Sequence, residues 1–133
     1  MSKRSEQAKQ FLHKAGQDIT VLTKLQNDRD IAPEILGFHA QQATEKLLKA
    51  VLANRMIVFP YTHRISELMD LLDDHQLPLP IELAELRFLT PFAVEYRYAL
   101  AENDDEEFFD IQKNLRLLTK LREWAEAVCS PEG

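Results

Sequence analysis

The chain has 133 residues, 45% of them hydrophobic and 29% charged, with a formal net charge of −6. That acidic balance, with a pI near 5.2, argues against non-specific RNA or DNA binding, which wants a basic surface, while leaving room for a local basic strip. The single cysteine, Cys129, excludes an intramolecular disulfide and fits a reducing cytoplasm; no apolar run approaches the ~20 residues of a membrane span.

The N-terminus, Met1-Ser2-Lys3-Arg4, is polar and runs straight into a helical pattern, so it does not read as a signal peptide. The length suits one domain spanning residues 1–133. Three glycines and a predominance of Leu, Ala, Glu, Lys and Gln favour helix throughout.

In chain order, Ala8, Phe11, Leu12, Ala15, Ile19, Leu22 and Leu25 recur at spacings of three and four and predict a helix over 5–26. Gly16 inside it costs about 1 kcal/mol against alanine, which suggests a neighbour packed closely there. Asn27-Asp28-Arg29-Asp30 reads as a turn. Pro33 suits a first helical position, and a second helix is predicted over 33–54. Met56 to Tyr61 is the only β-flavoured run, and Pro60 makes it a packed loop rather than a strand. Thr62 is the expected N-cap of a third helix over 63–74, with Ile65, Leu68, Met69 and Leu72 inward. Pro78 and Pro80 break it.

A fourth element begins near 81, with Leu83, Leu86, Phe88 and Leu89 as its apolar face. Thr90 as N-cap and Pro91 as first residue split it, and Ala93, Val94 and Tyr96 continue it to Arg97-Tyr98. Asp104, Asp105, Glu106 and Glu107 suit the start of a last helix over 105–128. Phe108, Ile111, Leu115, Leu118 and Ala125 form one apolar face of it; Leu117, Leu121, Trp124 and Val128 form another. Two faces imply a central helix or one that also meets another subunit, with the central position slightly favoured. The fold class is all-α, an antiparallel up-and-down bundle of four to five helices with short loops.

The second helix carries the most distinctive pattern. Leu36, Ala40, Ala43, Leu47, Ala50 and Val51 share one face, while His39, Gln42, Lys46 and Lys49 form a polar stripe along its border. Polar residues usually lie opposite the core. An ordinary boundary, with lysine stems over apolar surface, competes with a stripe that meets a ligand.

No phosphate loop, nucleophile elbow, zincin motif or Glu-x-x-His pair is present, so neither a catalytic constellation nor a metal site nor a cofactor is expected. Asp70, Asp73 and Asp74 read as a solvated face. His13 and His75 are expected to be exposed. Tyr61, His63 and Arg64 lie at a helix N-terminus, where an anion can be held; capping by Thr62 with exposed neighbours is the simpler account. Arg97, between Tyr96 and Tyr98, suits a stacked base or a phosphate, and equally a salt bridge to Glu95, Glu102 or an acid of the last helix.

Phe38-His39-Ala40-Gln41-Gln42-Ala43-Thr44-Glu45-Lys46-Leu47-Leu48-Lys49-Ala50 resembles the signature of HEPN domains, the nucleotide-binding domains shared by higher eukaryotes and prokaryotes. Pro60-Tyr61-Thr62-His63-Arg64-Ile65, Leu68-Met69-Asp70-Leu71-Leu72 and Leu89 to Tyr98 follow in the family's order, so the likeness covers 5–128. The resemblance implies a HEPN-like helical bundle, often a homodimer, with one of two roles. Some such proteins are metal-independent ribonuclease toxins. Others are non-catalytic companions of a minimal nucleotidyltransferase, in toxin–antitoxin pairs. The ribonuclease branch carries an Arg followed after four to six residues by His. Here Arg55 precedes His63 with seven residues between, and no histidine follows Arg97. The resemblance therefore points to the accessory role, with His39, Gln42, Lys46, Lys49, His63, Arg97 and Tyr98 as a nucleotide or anion site and a minimal nucleotidyltransferase as partner. A divergent ribonuclease toxin is the alternative.

Overall fold

Pro33 sets the backbone of a first helical turn without wasting an N–H, and from it a helix (α2) runs unbroken over Pro33–Asn54. The computed structural model describes residues 3–93 and 109–130, and every other element in it packs against α2. The expected face Leu36, Ala40, Ala43, Leu47, Ala50 and Val51 is buried, and so are Leu48, Leu52 and Ala53 on other sides of the helix. Each fully buried leucine contributes about 1.5–3 kcal/mol of apolar transfer. The central helix is therefore α2 and not, as the two apolar faces of the last helix suggested, the C-terminal one.

Helix α1, Lys3–Leu25, lies antiparallel to α2 across a short turn. The last helix, α4, covers Ile111–Cys129. Its Gln112 bonds Gln26 at the end of α1, while Arg122 lies against Gly16, so it too runs antiparallel to α1. Leu117, Leu118, Leu121 and Ala125 are buried, and Ile111, Leu115, Trp124 and Val128 pack half-buried at the core edge. The helix starts later than the predicted 105: Phe109 and Asp110 are not helical, and the Asp110 carboxylate accepts from Lys113 N (3.0 Å) as N-cap. Residues 94–108, with the predicted continuation to Tyr98 and the acidic run, lie outside the described residues.

Between α2 and α4 come α3, Ile65–Asp74, and a 3-10 segment, Ile81–Phe92. Three residues per turn place every third side chain on one side, so Leu83, Leu86, Leu89 and Phe92 are buried while Phe88, expected inward, is 65% exposed. The segment is not divided at Thr90-Pro91. Thr90 instead supplies its hydroxyl to Ile65 N (3.1 Å), closing the start of α3 from another element. Thr62 accepts from Arg64 N (3.0 Å) just outside that helix, which begins two residues later than predicted.

Helices α2 and α3 both end in left-handed residues that are not glycine, Met56 and Gln76, each at φ 60°. Ile57 N returns to Leu52 O and Leu77 N to Leu72 O, both at 2.9 Å, the six-to-one bond that closes a helix with an apolar contact behind it. The run after α2 is a packed loop, as expected: Ile57 is buried while Met56, Val58 and Tyr61 are exposed.

Candidate functional site

Antiparallel packing of α1 on α2 brings Asp18 against the polar stripe. Its carboxylate, nearly buried, accepts from Lys46 Nζ at 2.6 Å and lies 2.9 Å from His39 Nδ1. An ionised carboxylate only accepts, so Nδ1 of His39 carries a proton and Nε2 has no partner among the described residues. The side chains of His39 and Lys46 are 27% and 24% exposed, enough to meet a ligand.

One turn further along, Glu45 organises a second cluster. Lys49 Nζ donates to Oε1 at 2.6 Å, Gln41 Nε2 donates to Oε2 at 2.8 Å, and His63 Nδ1 stands 3.2 Å from both oxygens. Gln41, fully buried, also donates to His63 O, and Gln42 Nε2 donates to Gln41 Oε1. The Lys49 ammonium lies 5.9 Å from the Phe59 ring centroid and 6.0 Å from that of Tyr61. Burial pushes the Glu45 carboxyl upward, but the hydrogen bonds from Lys49 and Gln41, the Lys49 charge and the His63 bond outweigh it, and its pKa is lowered.

Five of the predicted site residues thus stand on this border: His39 and Lys46 joined through Asp18, and Lys49, His63 and Gln42 joined through Glu45 and Gln41. Lys49 is itself buried, its ammonium turned to Glu45, so it shapes the site from behind. Arg97 and Tyr98 lie outside the described residues. The reading of stripe residues missed Asp18, Gln41 and Glu45. Glu45 had a signal: it stands four residues from both Gln41 and Lys49, spacing at which helix side chains meet. Asp18 had none, being on another helix.

The helix N-terminus at Tyr61, His63 and Arg64 offers less than its sequence suggested. Arg64 N and Ile65 N already donate to the hydroxyls of Thr62 and Thr90. Tyr61 is 92% exposed and meets His63 edge-on, ring centroids 5.6 Å apart. Two open clefts, of about 240 and 370 Å³, lie away from the stripe. Among the described residues no group of three or more His, Cys, Asp or Glu is gathered as for a metal. Cys129 is not an active thiol: burial raises its pKa to about 11, Arg55 opposing weakly, and its Sγ faces Ala50 O.

What the fold and these side chains define is an all-α protein whose central helix carries His39, Lys46 and Lys49, bridged by the buried carboxylates of Asp18 and Glu45, with His63 from the following loop beside them. The HEPN domain family matches residues 1–128, and the chain belongs to that family. Neither the curated proteins nor the solved structures give a match. No helix among the described residues is long and apolar enough to cross a membrane.

Proposed function

We propose that this chain is a non-catalytic HEPN accessory protein that binds a nucleotide or other anionic ligand along the α2 stripe. In this reading it pairs, as a homodimer, with a minimal nucleotidyltransferase in a toxin–antitoxin module. One observation carries it: buried carboxylates hold His39 and Lys46, on the middle turns of the central helix, and His63, in the loop before α3, in fixed positions at the surface. Groups fixed in advance lose little freedom when a ligand arrives. Lys46 is paired with Asp18 and Lys49 with Glu45, so the cluster suits a small anion met by directed donors rather than a polyanion met by bulk charge. Arg97 and Tyr98 are proposed to complete the set.

Calorimetric titration with ATP, on the purified chain and on its complex, tests the site. Lys46→Ala removes one charge-assisted donor and is expected to weaken binding by about tenfold, or ~1.4 kcal/mol. Equal affinity in wild type and variant contradicts the assignment.

A second reading rests on the same imidazoles. Asp18 on Nδ1 leaves Nε2 of His39 open, the arrangement of a general base. A divergent ribonuclease of this kind arrests growth when expressed, and His39→Ala abolishes the arrest. Harmless overexpression without RNA cleavage excludes it.

A further inference from the structure

The larger cleft, about 370 Å³, lies between α3 and the 3-10 segment, on a face that the polar stripe does not use. Two rows of side chains border it. On α3, Ser66, Met69, Asp70 and Asp73 follow one helical face. On the 3-10 segment, Ile81, Ala84 and Arg87 are spaced by three and therefore stand in line. The Ile65–Thr90 hydrogen bond puts the start of α3 beside the end of the 3-10 segment. The rows run in opposite directions, so Ser66 faces the Arg87 end and Asp73 the Ile81 end.

The cleft is thus polarised. Among the described residues no ion pair involves Asp70, Asp73 or Arg87, and the Arg87 guanidinium stacks on the Phe88 ring, 5.1 Å from the centroid. Midway along the cleft the lining is apolar, from Met69 and Ala84, and Leu79 adds to it at the Asp73–Ile81 end. Ile81, 92% exposed, stands at the lip. Six residues of 3-10 helix rise about 12 Å, the length of three to four extended residues.

We infer that this cleft is a docking site for a short extended segment of a partner protein, apolar at its centre, with a Lys or Arg at the Asp70–Asp73 end and an acidic residue at the Arg87 end. Charge complementarity selects that occupant. A uniformly acidic segment is repelled by the two carboxylates, and a uniformly basic one by Arg87. The inference is independent of the nucleotide site on α2.

The probe is the capped tetrapeptide Lys-Leu-Leu-Glu, added to the ¹⁵N-labelled full chain and followed by amide chemical shifts. Saturable shifts confined to residues 66–73 and 78–87 are expected. The surface variant Asp70→Lys/Asp73→Lys should bind about tenfold more weakly, and capped Glu-Leu-Leu-Glu should give no saturable shift on wild type. Shifts on another face, no shifts, or equal binding by the charge-reversed variant overturn the proposal. Shifts of these residues that depend on protein concentration without peptide also overturn it, in favour of a second copy of the chain.

Discussion

Glu45 gathers Lys49, Gln41 and His63 around one nearly buried carboxylate, and its ionised form is what they stabilise. Since the folded pKa lies below the ordinary value of 4.5, ionised Glu45 contributes stability that is fully present above that pH and is lost as pH falls through the folded value. Glu45→Gln keeps the shape but leaves the buried Lys49 ammonium unpaired, and is expected to destabilise by about 3 kcal/mol. Urea unfolding across pH checks this: the gap between wild type and variant should be constant above pH 4.5 and narrow below it. A gap that widens on acidification contradicts the assigned direction. At this scale the cations were legible in the sequence, because Lys46 and Lys49 fall on a stripe of their own. Their partner Asp18 was not, because it stands 28 residues from Lys46 and only the packing of α1 on α2 brings them together.

The helices themselves differ in how much of them could be read. The limits of α2 were readable as Pro33 and the end of the apolar repeat, and the structure places them at Pro33–Asn54. The 3-10 segment was not read as such, although Leu83, Leu86, Leu89 and Phe92 recur every third residue, because two prolines and Phe88 blur that period. The start of α4 was misplaced because a run of acids offers several caps, of which Asp110 is used. Two glycines show how packing decides what propensity alone cannot. A Cβ on Gly37 would stand 2.1 Å from Phe92 Cδ1, against a buried ring held edge-on by Phe109. A Cβ on Gly16 would meet only the flexible end of Arg122, at 3.0 Å from Nη2. Gly37→Ala is expected to lose about 1–3 kcal/mol through overpacking, and Gly16→Ala to gain up to about 1 kcal/mol in helix propensity. Thermal unfolding followed by circular dichroism should move the two midpoints in opposite directions; a Gly37→Ala midpoint at or above wild type contradicts the close approach.

Across the whole molecule, an acidic protein presents two polarised features on different faces: the carboxylate-bridged stripe of α2, and the cleft between α3 and the 3-10 segment. Neither suits bulk attraction to nucleic acid, and both suit binding in defined geometry. The family could be read from the residues of α2, and the match over 1–128 agrees. A partner leaves no such mark in one chain, since it is written in a second surface. The decisive measurement is therefore the recovery of the tagged protein from its native lysate, with co-purifying proteins identified and quantified by mass spectrometry. The accessory role predicts a small nucleotidyltransferase in near-equal amount. Recovery of the chain alone, together with RNA cleavage by the purified protein, would contradict it.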